Sequence, residues 1–448
     1  MLKNKKNIPG HLNGWRSSKI ADSLPEVFAS IKVPKGGGFW KNMLAFAGPG
    51  LMVAVGYMDP GNWATDIAGG AQFGYTLLSV IFISNIFAML LQYLALKLGV
   101  VTERDLAQAC RDHYCPAVNY GLWILCEVAI AACDLAEVIG SALALNLLFG
   151  LPLTWGVLVT ATDVLLILFF QYKGFRLIES IVAALILVIF GCFIFEIIAS
   201  KPAIFPMLQG LMPRFEIVAN PSMLYIAIGI LGATVMPHNL YLHSSIIQTR
   251  SYPRTPEGKK KAIKFGTIDS SVSLLFAFFI NAAILVMSAA TFHTSGHNDV
   301  ADITDAHRLL TPVLGTTLAS TLFAVALLAS GQNSTLTGTL AGQIVMEGFL
   351  HIRIKPWLRR LITRLIAIVP AFIITLVYGQ KGTAQLLVLS QVILSMQLGF
   401  AIVPLVQFTN SKEKMGTFRN GKLLRWIAVG IAAIIIVLNI YLLYTQFF

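Results

Sequence analysis

The sequence is poor in charged residues for its length. Only 12% of its 448 residues are Asp, Glu, Lys or Arg, about half of the roughly 25% found in soluble domains. Five cysteines form no CxxC or Cys/His ligand pattern, and an odd number suits no complete disulfide framework. The first forty residues are polar and basic and lack the apolar core of a cleavable signal peptide. An ordinary water-soluble enzyme is therefore excluded.

Apolar residues are correspondingly abundant. They make up 56% of the chain, and the mean hydropathy is +0.74, which excludes a disordered protein. A helix needs about 20 apolar residues to cross a hydrocarbon layer about 30 Å thick. By this rule we predict an all-α polytopic membrane protein with short loops and eleven spans, near 43–72, 75–99, 119–147, 153–170, 178–199, 222–248, 268–291, 312–346, 358–378, 384–408 and 424–446.

The net charge of +12 has a topological explanation. Lys and Arg accumulate on the cytoplasmic side of membranes, and here they concentrate in the amino-terminal segment and in alternate loops, such as 250–264 and 412–425. This asymmetry predicts a cytoplasmic amino terminus, an outside carboxyl terminus and a bacterial plasma membrane, and it argues against nucleic-acid binding. We expect segment 1–42 to be a cytoplasmic tail, either disordered or lying on the lipid surface.

Two predicted spans are interrupted at corresponding places. The first contains Asp59-Pro60-Gly61-Asn62, and the sixth contains Met236-Pro237-His238-Asn239. Proline removes a backbone donor, and carbonyls freed at such a break cannot be satisfied by lipid, so they must line a protein cavity. Breaks in the first and sixth spans suggest two inverted five-helix repeats, 43–199 and 222–409, followed by an extra span at 424–446. Such helices are typical of a secondary transporter's binding site, although ordinary proline kinks are the simpler interpretation.

Together the two motifs resemble the Nramp family of divalent metal transporters. The resemblance covers spans one to ten and includes the later segment Ser390-Gln391-Val392-Ile393-Leu394-Ser395. It implies the LeuT-type inverted-repeat fold, alternating access and proton-coupled import of Mn²⁺ or Fe²⁺. These ions are transported substrates, so no cofactor is expected.

The resemblance also assigns ligands, and their chemistry suits a transition metal. The Asp59 carboxylate balances the charge of a dication, while the Asn62 side chain and the Ala233 carbonyl supply oxygen ligands. Met236 supplies a thioether, a soft ligand that Mg²⁺ and Ca²⁺ do not favour. Alternatively, Met236 is an ordinary core-packing residue without a role in metal binding. Gln391 is either an occasional ligand or the donor of an interhelical hydrogen bond.

A proton route is implied by acids on the third span. Acids inside a membrane helix are costly and usually functional, and the resemblance places Asp134 and Glu137 on the path that protons take from the metal site. His238 is the better histidine relay, whereas His243 is a relay or a hydrogen-bonded structural residue. Arg364 either pairs with one of these acids or extends to the cytoplasmic surface.

Other functions remain to be weighed. A carrier of Mg²⁺ or of an organic substrate, or a non-transporting sensor, is possible on the same fold, but the charge of Asp59 and the thioether of Met236 disfavour the carriers. An enzyme is not expected, because no HExxH or GxSxG motif is present. The expected partners are divalent transition-metal ions, protons and the lipid bilayer, and the chain is expected to function as a monomer.

Overall fold

Helices form nearly all of the structure. The computed structural model describes residues 14–19, 22–24, 29–34, 38–162, 175–298, 300, 302–352 and 356–447, and 84% of these residues are helical. Helices satisfy their own backbone hydrogen bonds, which lipid cannot do. The described strands are Ile31–Lys32 and Arg250–Ser251, which pair in parallel.

In the first half of the chain the helices are α1 Phe39–Phe46, α2 Pro49–Gly56, α3 Pro60–Phe73, α4 Leu78–Thr102, α5 Leu106–His113, α6 Pro116–Phe149, α7 Leu153–Val159, α8 Phe175–Ser200, α9 Ile204–Gly210 and α10 Glu216–Ala219. In the second half they are α11 Pro221–Thr234, α12 Pro237–Ile246, α13 Pro256–Ser288, α14 Ile303–Leu314, α15 Thr317–Leu350, α16 Pro356–Asn410, α17 Lys412–Met415 and α18 Lys422–Phe447.

The helices follow the predicted spans with three differences. The part of the predicted span 153–170 from residue 163 onward lies outside the described residues, and α7 and the short turn Thr160–Thr162 represent the rest. The segment between the seventh and eighth spans contains α14, which Asp302 caps by accepting a hydrogen bond from the Thr304 amide at 2.7 Å. Six described segments are long and apolar enough to cross a membrane by length and composition alone.

The third difference concerns the ninth and tenth predicted spans, which belong to one helical run, α16. A straight helix would separate Arg364 from Gln391 by about 40 Å. Arg364 contacts Glu137 and Gln391 lies against Gly61, and these contacts meet near the same point in the protein. The run therefore turns back between these two residues.

Small residues let the first broken helix approach α13 closely. A methyl group on Gly50 would lie 2.6 Å from the Ser270 Cα, and one on Gly70 would lie 2.4 Å from the Leu285 carbonyl oxygen. Close backbone approach of this kind is how membrane helices gain packing energy without a hydrophobic driving force. As a result α13 holds both halves of the break in position.

The described parts of the amino-terminal segment are docked and are not a free tail. Trp15 is 6% exposed and packs edge-on against Phe408 at 5.5 Å between ring centroids. The strand at Ile31 pairs with the chain just before α13. This contact joins the amino terminus to the loop that follows the second interrupted span.

A buried ion pair fastens the start of the first broken helix. Arg250 Nη1 lies 2.8 Å from Glu179 Oε1, and the same guanidinium donates to the Ala45 and Ala47 carbonyls. Asp269 accepts hydrogen bonds from the Gly48 and Gly50 amides at 3.3 and 2.6 Å. The beginning of α2 is therefore held by α8, α13 and the strand that contains Arg250.

We expect Arg250→Ala to destabilise the protein strongly. Removing one member of a buried ion pair leaves an uncompensated charge and costs about 3–5 kcal/mol. Arg176→Ala is the matched control, because Arg176 contacts the same Glu179 at 2.9 Å but its side chain is 51% exposed. Thermal unfolding of the purified protein in detergent measures both, and an equal loss in the two variants would contradict the interpretation.

Candidate metal site between two interrupted helices

The first interruption separates α2 from α3 at Tyr57, Met58 and Asp59. Pro60 has no N–H to offer the Gly56 carbonyl, so the helix cannot continue. Asp59 then caps α3, since its Oδ1 accepts the Asn62 amide at 2.9 Å. The carboxylate is thus fixed at the positive end of a helix, fully buried inside the protein.

Side chains from other helices satisfy two carbonyls of this break. Asn281 Nδ2 donates to the Tyr57 carbonyl at 2.8 Å, and the Ser330 hydroxyl donates to the Met58 carbonyl. These bonds replace the intrahelical ones that the break removes. The interruption is therefore stabilised by neighbouring helices and is more than a local kink.

The second interruption separates α11 from α12 at Val235 and Met236. Pro237 lacks the N–H that would bond the Ala233 carbonyl in a continuous helix. Met236 occupies the cap position of α12, and its side chain is fully buried. This break accordingly offers a carbonyl oxygen and a thioether at neighbouring positions.

The two breaks and α16 meet at one place. A methyl group on Gly56 would lie 3.2 Å from Met236 Sδ, so the thioether touches the first break. One on Gly61 would lie 1.7 Å from Gln391 Nε2, and one on Gly232 would lie 2.1 Å from the Gln391 carbonyl. The structure thus brings together the five residues predicted as ligands.

Two oxygens at this place have no hydrogen-bond donor among the described residues. They are Asn62 Oδ1 and Gln391 Oε1, both buried. A buried amide oxygen without a partner carries a desolvation cost that a cation would remove. Together with the Asp59 carboxylate and the Met236 sulfur, these oxygens form a donor set suited to a first-row transition metal.

Cys133 joins this site to the acids on α6. Its Sγ lies 3.8 Å from Asp59 Oδ2, 3.8 Å from Glu137 Oε1 and 3.9 Å from His238 Nε2. Cys133 also packs in one cluster with Met236. Sequence reasoning missed this residue, although its position four residues before Glu137 places both on one helical face.

Glu137 is part of a buried polar group with α15 and α16. Its Oε2 lies 3.4 Å from Arg364 Nη1 and accepts the Thr335 hydroxyl at 3.1 Å. Arg364 is 1% exposed, so it pairs with an acid and does not extend to the surface. Asp134 lies beside Glu137, because a methyl group on Gly338 would be 2.9 Å from Glu137 Oε1 and 3.7 Å from Asp134 Oδ1.

His243 lies apart from that group, on the other side of α12. Its Nδ1 contacts Gln92 Oε1 at 3.0 Å, and Gln92 Nε2 donates to the Tyr57 hydroxyl at 2.9 Å. This chain connects α12 to the first interruption. Sequence reasoning missed Tyr57 and Gln92, whose residue types carry no specific signal on an apolar helix.

Asp66 is a further buried acid that the sequence analysis missed. It lies seven residues after Asp59 on α3, it is 1% exposed, and its Oδ2 has no hydrogen-bond partner in the described part of the chain. The spacing of two helical turns was the available signal. Asp66 extends the acidic side of α3 away from the break.

The site is closed to water in this conformation, but a cavity approaches it. Asp59, Asn62, Met236 and Gln391 are each at most 1% exposed. A cavity of about 560 Å³ lies between the ends of α3 and α11 that point away from the breaks and residues 384–389 of α16, with Gln72, Tyr225 and Gln385 in its wall.

We expect Gly232→Ala to disturb the meeting point of the helices. The added methyl would overlap the Gln391 carbonyl, which cannot rotate away, whereas on Gly61 it would meet the end of a side chain. Gly232→Ala should therefore lower the melting temperature more than Gly61→Ala. Gly191→Ala, which meets nothing within 4 Å, is the control for helix propensity; equal melting temperatures for all three would contradict this geometry.

Comparison with known proteins agrees with the two motifs. The model of the Nramp family, described as natural resistance-associated macrophage protein-like, matches residues 50–445. A protein of Listeria welshimeri named divalent metal cation transporter MntH is 62% identical over 430 residues, 96% of each chain. A protein of the same name from Bradyrhizobium diazoefficiens is 60% identical over 431 residues, again 96% of each chain.

Solved structures agree as well. A manganese transporter of Eremococcus coleocola, crystallised with an aromatic bis-isothiourea compound, superposes with a TM-score of 0.87 at 42% identity over 94% of this chain and 90% of that one. MHP1, a nucleobase-cation-symport-1 family transporter, shares the fold with a TM-score of 0.55 at 13% identity, covering 89% of this chain and 91% of that one. The predicted all-helical LeuT-type fold is confirmed, as is the prediction that the chain is no enzyme. This multi-pass membrane protein belongs to the Nramp family of metal transporters.

Proposed function

We propose that this chain imports Mn²⁺ and Fe²⁺ by alternating access and couples their entry to protons. The main supporting observation is the set of possible ligands at the two interruptions. It consists of a carboxylate, a thioether and two unpartnered amide oxygens, all buried where the two interrupted helices meet α16. Relatives named as divalent metal cation and manganese transporters support the same reading.

Each proposed ligand has a separate task. Asp59 balances charge, Asn62 and the Ala233 carbonyl complete an oxygen shell, and Gln391 joins when α16 approaches. Met236 contributes little to Mg²⁺ or Ca²⁺, which prefer oxygen, and it therefore favours transition metals over these abundant ions. Among the described residues no cluster of thiolates and imidazoles forms a closed cage, which supports release of the ion.

Alternating access requires the two breaks to open on one side at a time. We assign the moving units to the repeats 43–199 and 222–409, with 424–446 outside them. The fastening of α2 by Arg250 and Asp269 supports a conformation closed on that side. These contacts must break before an ion leaves past α2, whereas entry needs only the outer ends of α3 and α11 to move.

Protons are proposed to pass through the acids next to the site. A dication at Asp59 favours loss of protons from neighbouring groups, and Cys133 brings Glu137 and His238 within contact of the metal site. From there Asp134, Glu137 and Arg364 lead along α6. His243, which bonds to Gln92, is assigned to the closure next to Tyr57 and lies outside the main route.

The charge asymmetry of the loops gives the orientation. It supports an orientation with the amino terminus and the contacts of Arg250 in the cytoplasm of a bacterial cell, and the carboxyl terminus outside the plasma membrane. The metal then enters through the cavity between α3, α11 and α16 and leaves past α2. One chain carries the whole site, which supports function as a monomer.

Uptake of Mn²⁺ into proteoliposomes tests the metal site. Loss of an outer-sphere partner alone costs about 10–100-fold in metal affinity, so Asp59→Asn should reduce uptake at least that strongly. Met236→Leu keeps the volume and removes the sulfur, and we expect Ca²⁺ and Mg²⁺ to compete better in this variant. Met287→Leu, also fully buried but in α13, is the control. Normal uptake by Asp59→Asn would refute the site.

An internal pH dye in the same vesicles tests proton coupling. We expect wild-type Mn²⁺ uptake to acidify the interior, and Asp134→Asn and Glu137→Gln to reduce the acidification per Mn²⁺ by at least half. Glu127→Gln is the matched control, since this α6 acid bonds to Trp123 at 3.1 Å. Unchanged acidification per ion in both test variants would place the proton route elsewhere.

A further inference from the structure

A groove faces the lipid between α6, the second part of α16, and α18. It encloses about 750 Å³ and is lined almost entirely by apolar side chains. Its walls are single helix faces, with Val118 and Leu122 on α6, Phe400 on α16, and Ile436 and Ile440 on α18. The groove contains none of the proposed metal ligands, although Ile393 in its wall is two residues from Gln391.

The groove leads into a second, cationic cavity. This cavity has a volume of about 430 Å³ and lies where α16 ends and α18 begins. Val403 lines both cavities, so the two meet at this residue. Arg419 and Arg425 stand in the wall of the second cavity, together with the polar side chains of Asn410 and Ser411.

The two arginines are available to an anion. Among the described residues, neither guanidinium forms an ion pair with a carboxylate. Arg419 donates only its Nε to the Asn410 carbonyl, at 2.7 Å, and both side chains are exposed. Trp426, which is 73% exposed next to Arg425, marks this level as the membrane–water interface, where tryptophan is enriched.

The combined length of the groove and the cationic cavity is sufficient to span one leaflet of the bilayer. Along α18 the lining runs from Val429 in the cationic cavity to Leu443 in the groove, a rise of about 21 Å. Half of a hydrocarbon core measures about 15 Å. A hydrocarbon chain that starts at the two arginines therefore fits in the groove for the full depth of its leaflet.

We propose that this groove and cavity bind an anionic phospholipid, with its phosphate between Arg419 and Arg425 and one acyl chain against Val403 and Phe400. The orientation proposed above makes this leaflet the cytoplasmic one. The bound lipid fills the space between α18 and the second part of α16, which also carries Gln391. It thereby steadies the helix that contributes to the metal site from its outer side.

Native mass spectrometry of the full-length protein in neutral detergent tests the proposal. Phosphatidylglycerol and phosphatidylcholine with identical chains are added to wild type and to Arg419→Gln/Arg425→Gln. Since each cation near a membrane surface strengthens binding about fivefold, we expect loss of both to weaken phosphatidylglycerol binding about 30-fold. Lys412→Gln/Lys422→Gln is the matched control, because it removes the same charge from exposed residues that line neither cavity.

Two further measurements distinguish binding of a whole phospholipid from binding of its phosphate group alone. Val403→Trp, which blocks the connection between the cavities, should weaken the lipid while both arginines remain. Glycerol 3-phosphate should compete poorly, because it carries the phosphate without the acyl chains. Equal binding of the two lipids, equal losses in the two double variants, or full competition by glycerol 3-phosphate would each overturn the proposal.

Discussion

The structure depends on one constraint, that lipid cannot satisfy a backbone carbonyl freed by a broken helix. Two such breaks lie inside this protein, and each must be enclosed by other helices. At the first break Asn281 and Ser330 supply donors to the carbonyls of Tyr57 and Met58. The enclosure places polar side chains deep in the membrane region, where they create an environment that can receive an ion.

Close packing around the breaks is what brings the proposed ligands together. Glycine at positions 56, 61 and 232 leaves the space that Met236 and Gln391 occupy. On the opposite side Cys133 lies against both Asp59 and Glu137. The proposed metal site and the acids of α6 are therefore separated by one side chain, so a change of charge at Asp59 would act directly on Glu137. This proximity is the physical basis of the proposed coupling.

The contacts that hold the start of α2 make the two sides of the proposed site different. Asp269, Arg250 and Glu179 hold the start of the first broken helix, while the outer ends of α3 and α11 border an open cavity. One side of the site is thus closed by charge-assisted bonds and the other by packing of apolar and amide side chains. In the alternating-access mechanism proposed above, this difference would make admission of an ion the smaller rearrangement.

The spans, the helix breaks and the family resemblance could be predicted from the sequence because each depends on residues close together in the chain. Apolar length gave the spans, and each proline marked its break, since a missing N–H acts on its own helix wherever that helix lies. The motifs at Asp59 and Met236 likewise carried the family resemblance. The same resemblance indicated Asp134 and Glu137 on one helix.

Contacts between helices were decided by the tertiary structure alone. No sequence pattern indicates that Cys133 touches three titratable groups, that Arg364 reaches Glu137, or that His243 bonds Gln92. The docking of Trp15 and the turn within α16 are of the same kind. In each case the partners are far apart in the chain, and an apolar helix carries no mark of which neighbour its few polar residues will meet.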